Sequence, residues 1–264
     1  MSGRRPKNQP EGGQAPVVQR IRLHYAKRGP MRFTSHRDFA RAFERAILRA
    51  GVPIAYSQGF TPHPKISYAS AAPTGVASEA EYLEIGLRER VDPAALVGAL
   101  DAALSPGLDV LDAVEAAGGS LADRIDASAW RIELPGVSIE AARHAVETFL
   151  KATEVPVERL TKQGKRTLDA RSPVVSLTAA QTTDVTPSEV AGVPCAILDL
   201  VVRQVTPSVR PDDVLSGLRE AADLELPVPP RATRLAQGTL MAQGELVDPL
   251  AADREVAVIG TPSP

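Results

Sequence analysis

Val17-Val18-Gln19-Arg20-Ile21-Arg22-Leu23-His24-Tyr25 and, after a loop over 26–35, Arg37-Asp38-Phe39-Ala40-Arg41-Ala42-Phe43-Glu44-Arg45-Ala46-Ile47-Leu48-Arg49-Ala50 switch from a period of two to a period near 3.6. The first segment sets Val17, Ile21, Leu23 and Tyr25 against Val18, Arg20, Arg22 and His24, with one slip, which is the alternation of a half-buried strand. The second carries Phe39, Phe43, Ala46 and Ile47 at i, i+4, i+7 and i+8, with Ala50 one turn on, the stripe of an amphipathic helix. Ser35 or Thr34 serves as its N-cap, Asp38 suits the positive first turn, and Gly51 ends it. A strand running into a helix in this way opens an α+β plan.

Reading outward, Val52 to Tyr56 is short and β-like, and 57–65 is a loop punctuated by Gly59, Pro62 and Pro64. Ile66–Ala69 and Glu81–Leu87 alternate as strands. Pro93 opens a helix with Leu96, Val97, Leu100 and Leu104 on one face, Pro106-Gly107 closes it, and Leu108–Val114 supplies a strand. The order repeats after a link: a strand at Trp130–Leu134, a helix over 139–150, short elements at 155–160, 166–170 and 174–178, a strand at 196–205, a helix from Pro211 to about Leu224, and a strand at 232–237. This predicts an α+β fold of two tandem ferredoxin-like (split βαβ) sandwiches with disordered termini. The expected boundaries are a disordered tail over 1–16, a basic domain over 17–116, a linker over 117–128, a second domain over 129–240 and a loose tail over 241–264.

The formal net charge of -2 conceals an asymmetry. Residues 1–65 hold 13 Lys+Arg against 3 Asp+Glu, and residues 66–264 hold 17 against 29. His24, His36 and His63 also fall in the basic part. An anionic partner is therefore expected there. The single cysteine, Cys195, excludes a disulfide framework, a cysteine-built zinc site and a three-cysteine iron–sulfur motif within this sequence. Polar residues at the start and the absence of a run of about 20 apolar residues lead to a cytoplasmic expectation, with no membrane partner.

Arg37, Arg41, Arg45 and Arg49 recur every four residues, so their guanidiniums share one flank of the helix. With Arg20, Arg22, Lys27, Arg28 and Arg32 nearby, the ridge reads as a polyanion contact; the competing reading is a solvated arginine face. Few aromatics accompany it, and Tyr25, Tyr56, Phe60 and Tyr68 are the stacking candidates.

The loop Tyr56-Ser57-Gln58-Gly59-Phe60-Thr61-Pro62-His63-Pro64-Lys65 holds polar groups between two stiffening prolines. Gln58, His63 and Lys65, with backbone N–H groups near Gly59 and Phe60, suit a phosphate or a base edge; the alternative is a rigid connecting turn. Ser35, His36 and Arg37 sit at a helix start, where N–H groups favour an anion. A triad of Ser35, His36 and Asp38 fails because adjacent side chains diverge. A metal site from His24, His36 and His63, which lacks a ligand-spacing motif, and a general-base histidine, His36 or His63, are the two enzymatic readings left open, and a positioned, non-catalytic histidine is favoured over both. No metal or cofactor is assigned. In the second half, Lys162, Lys165, Arg166 and Arg171 form a basic turn with Asp169 as a brace, either a solvated hairpin tip or a second polyanion contact.

Four runs, Phe33-Thr34-Ser35-His36-Arg37-Asp38, Phe43-Glu44-Arg45-Ala46, Ala50-Gly51-Val52-Pro53, and Ser57 to Ser67, together resemble the radical-SAM-linked family of uncharacterised proteins, whose members are encoded beside or fused to radical SAM proteins. The resemblance covers about 19–240 and includes the basic turn at 162–171. It implies an accessory role, with radical chemistry supplied by a partner chain. Three functions remain open: an RNA-binding accessory protein that presents tRNA or rRNA to a modifying enzyme, an RNA-processing or phosphate-substrate enzyme using His36 or His63 as acid–base, and a protein–protein adaptor with a basic docking face. With no complete catalytic motif, the first leads.

Overall fold

The computed structural model describes residues 16–58, 61–161, 164–181 and 194–259. The tail expected over 1–16 lies, except for Pro16, outside the described residues. In the first half, β1 (Gln19–Lys27) runs into α1 (His36–Arg49), then come β2 (Ile66–Ala69), β3 (Ala77–Leu87), α2 (Pro93–Ala103) and β4 (Leu108–Glu115). The second half follows with β5 (Ala127–Pro135), α3 (Ile139–Lys151), β6 (Pro156–Thr161), β7 (Gly164–Asp169), β8 (Val174–Gln181), β9 (Cys195–Arg203), α4 (Pro211–Ala222) and β10 (Arg231–Leu240). Finally, β11 (Leu246–Val247) and α5 (Ala251–Ile259) close the described chain. None of these helices is long and apolar enough to cross a membrane.

The class is α+β, with a large, mostly antiparallel sheet and five helices among the described residues. Its strands run β4-β1-β3-β10-β5-β9-β8, with β2 also on β3 and β11 on β10. The expectation of two separate sandwiches therefore meets a difference. β2 pairs only with the later part of β3, from Tyr82 to Ile85, and β10 takes the earlier part, in parallel at Thr233↔Ala77 and Arg234↔Ser78. Two edges that would each expose unpaired N–H and C=O groups satisfy one another, and nine strands become one sheet. Among the described strands only β6 and β7 stand apart, as a two-stranded hairpin.

Each half keeps its own apolar core. Ile21, Leu23 and Tyr25 of β1 pack with Phe39, Phe43 and Ile47 of α1 and Leu96 and Leu100 of α2. Trp130, Ile132 and Leu134 of β5 pack with Phe149 of α3 and Val214 and Leu218 of α4. Gly217 lets these last two helices approach, since a Cβ there would lie 2.7 Å from the Phe149 ring. Ser35 caps α1 by accepting the Asp38 N–H, as the sequence predicts.

The segment from 241, expected as a loose tail, instead builds β11 and α5, and Leu250 and Asp253 are buried. The reason lies in β1. Its period of two sends Arg22 to the sheet face opposite α1, where it is fully buried and needs a counter-charge. Asp253 supplies it: Arg22 Nη1 donates to both carboxylate oxygens at 3.0 and 2.9 Å, and Arg124 and the Ala117 N–H donate to the same carboxylate. Arg254 adds bonds to Asp112 and Asp248. Burial pushes the Asp253 carboxyl up, but these donors outweigh it and hold it below the ordinary range.

Candidate nucleic-acid interface

Part of the basic first quarter is answered by neighbouring groups of the fold. Arg20 and Arg22 pair with Glu84, Arg28 with Glu79 and Asp109, and the buried Lys27 amine donates to the Ala72 and Pro73 carbonyls. Their contribution to a single-sign field, expected from the sequence, is thereby reduced: strand alternation carries Arg20 and Arg22 away from the helix, Glu79 and Asp109 answer Arg28, and carbonyls hold Lys27. Arg49 donates to the Ala103 carbonyl at 2.5 Å and so closes the end of α2. Arg37, Arg41 and Arg45 stay exposed and make no ion pair or hydrogen bond with a described residue. Lys65 is exposed as well.

At the α1 end nearest Arg37, a cavity of about 390 Å³ opens between the two halves. His36 lines it from α1, Thr74 from the β2–β3 loop, Trp130 from β5, Arg203 from the end of β9, Arg210 from the start of α4 and Arg234 from β10. No Asp or Glu is among its lining residues. Glu81 is turned onto Arg234 at 3.1 Å and the Ala72 N–H at 2.9 Å, and Asp213 onto Arg159 and the Arg210 N–H. Arg203 and Arg210 make no ion pair with a described residue.

Arg234 is 3% exposed, and its guanidinium lies 4.8 Å from the centre of the Trp130 ring. One Nη1 donates to the Ser70 carbonyl at 2.5 Å, while Nε, like the indole Nε1 of Trp130, is buried without a partner among the described residues. Burial weakens the hold of Arg234 on its proton and Glu81 opposes that. Burial likewise lowers the Lys27 pKa and raises that of Tyr25. The loop 70–74 is thus fixed from below by Lys27, Glu81 and Arg234. Ser70 holds a left-handed φ of 43°, a strained position kept by these contacts. A cavity lined by Arg203, Arg210, Arg234 and His36 and free of lining carboxylates can hold an anion by charge and by donated hydrogen bonds.

The other expected site residues divide. His36 faces the cavity and meets Tyr68 edge-on at 4.8 Å between ring centres. Gln58, His63 and Lys65 are not among its lining residues; the His63 N–H donates to Ser57 Oγ at 2.9 Å, which closes the loop on itself. Gly59, Phe60 and Lys162 lie outside the described residues. His24 stacks on Tyr82 and contacts the Glu79 carbonyl, and among the described residues no three of His, Cys, Asp and Glu cluster as for a metal. Lys165 pairs with Glu158 at the surface, Arg166 is exposed, and Arg171 closes the end of α3 by donating to the carbonyls of Leu150 and Val174. Arg171 thus has a structural part in the fold, and Asp169 braces the backbone N–H groups of Val155, Arg171 and Ser172, not a guanidinium. Sequence reading missed Trp130, Arg203, Arg210 and Arg234. The available signal for Arg234 was an arginine in the middle of an otherwise half-buried strand.

A family model described as uncharacterised protein conserved in bacteria, DUF2344, matches residues 20–211. The chain belongs to the DUF2344 family. The match to DUF2344 runs from the second residue of β1 to the first residue of α4, and so takes in every cavity residue named above except Arg234. No curated protein matches the chain.

Proposed function

We propose that this DUF2344 protein binds RNA, seating a phosphate in the acid-free cavity between its halves and following the adjoining backbone with Arg37, Arg41 and Arg45. The observation that carries this reading is the set of His36, Arg203, Arg210 and Arg234 around one cavity with no lining carboxylate. Phosphate oxygens accept from guanidiniums in bidentate fashion, and clustered guanidiniums release counterions when they do so. On the resemblance to the radical-SAM-linked family, the bound tRNA or rRNA is presented to a separate radical SAM enzyme. The strand orders β4-β1-β3-β2 and β10-β5-β9-β8 support reading the halves as two ferredoxin-like units fused edge to edge, with the cavity at their seam.

The test is fluorescence anisotropy of a labelled tRNA across a salt series, with wild type and an Arg203→Glu/Arg210→Glu variant. Affinity should fall steeply with salt and should be largely abolished in the variant. A flat salt dependence, or equal binding by both proteins, overturns the reading.

A further inference from the structure

Phe33 is the one exposed aromatic residue among those described, at 61% exposure. The stacking candidates expected from sequence do not share this property: Tyr25 is buried, Tyr56 and Tyr68 are half-buried, and Phe60 lies outside the described residues. Phe33 closes a short 3-10 turn, Gly29–Phe33, immediately before α1. The Arg32 guanidinium lies 4.7 Å from the centre of its ring. That contact steadies one face of the ring. The turn is also tied to the cavity wall, because the Arg32 carbonyl accepts from the Gly75 N–H at 2.8 Å, next to Thr74. His36 at the cavity and the unpaired Arg37 follow within four residues.

An exposed phenylalanine between arginines is poorly suited to an apolar protein partner and well suited to a nucleobase, whose π face covers the ring while its phosphate meets the cations. We propose that Phe33 is a stacking platform for an unpaired base, so that the RNA seated here is single-stranded at the cavity. The proposal rests on the RNA-binding reading and narrows it: a base inside a duplex is stacked on its neighbours and has no free face to offer.

The experiment titrates wild type, Phe33→Ala, Phe33→Tyr and a triple Arg37→Ala/Arg41→Ala/Arg45→Ala variant with a single-stranded RNA carrying 2-aminopurine and with a duplex of equal length. The wild type should prefer the single strand and quench the 2-aminopurine on binding. Phe33→Ala should weaken single-strand binding about tenfold, with an unchanged salt slope and unchanged duplex affinity, and Phe33→Tyr should retain both affinity and quenching. If Phe33→Ala matches wild type on the single strand while the triple arginine variant loses affinity, stacking is overturned and the electrostatic reading stands. If wild type binds neither RNA, both are overturned.

Discussion

Replacing Asp253 by Asn keeps the shape of a buried side chain and removes its charge, which tests whether the C-terminal segment is part of the fold. Asp253 is 1% exposed and faces Arg22, which has no solvent contact. Without the carboxylate, Arg22 keeps Glu84 at 2.9 Å and the Gly118 and Gly119 carbonyls, so its charge is only partly answered. Breaking one partner of a buried pair costs about 3–5 kcal/mol, and the surviving Glu84 contact puts this case near the low end. At ~2–4 °C per kcal/mol for a domain of this size, the melting temperature should fall by about 6–12 °C. The pH dependence has a definite sign. Because the Asp253 pKa is held below its ordinary value, its stabilisation is complete above the unfolded value of about 3.9 and is lost as pH falls through the lower folded value. Thermal melts followed by circular dichroism between pH 7 and pH 3 should show wild type and Asp253→Asn converging in acid. Melting within about 2 °C of wild type at pH 7, or a constant gap at all pH values, would refute the clasp.

Three other outcomes follow from the same geometry. Removing Arg37, Arg41 and Arg45 together should leave the melting temperature unchanged, since all three are exposed; it should lower the salt slope of single-stranded RNA binding by about 2, at ~0.7 for each phosphate that is no longer neutralised, as read by anisotropy. Arg171→Ala should destabilise the protein by about 1 kcal/mol in urea titration, because its bonds to Leu150 and Val174 are removed, and leave RNA affinity as it was. Gly217→Ala should cost about 1–3 kcal/mol in the same titration, because its Cβ would press on Phe149 across the α3–α4 contact.

How much of this was legible in the sequence depends on the range of the forces involved. The alternation in β1 and the stripe in α1 are local periodicities, and the structure follows both to within two residues at each end. The same holds for α2, opened by Pro93, and α4, opened by Pro211. The union of the halves was not legible, because it depends on β2 leaving Ala77 and Ser78 uncovered for β10, a pairing of residues far apart in the chain. The C-terminal clasp was missed for a related reason: a nine-residue helix is too short to be marked by its own periodicity, and what docks it is Asp253 meeting Arg22 across the sheet. The site divided in the same manner. The arginine ridge and His36 are local features. Arg203, Arg210, Arg234 and Trp130 converge only through the seam, and the charge asymmetry that pointed to the first quarter overstated it, since Arg22, Lys27 and Arg28 serve the fold.

Trp130 is the only tryptophan in the chain, and it lines the cavity beneath Arg234, so its emission reports occupancy of the proposed site without a label. Titrating wild type with an unlabelled single-stranded RNA should give a saturable change in that emission, weakened by salt and absent in Arg203→Glu/Arg210→Glu. RNA binding that leaves Trp130 emission unchanged, or that is equally strong in the double variant, would contradict the cavity as the place where the phosphate is held.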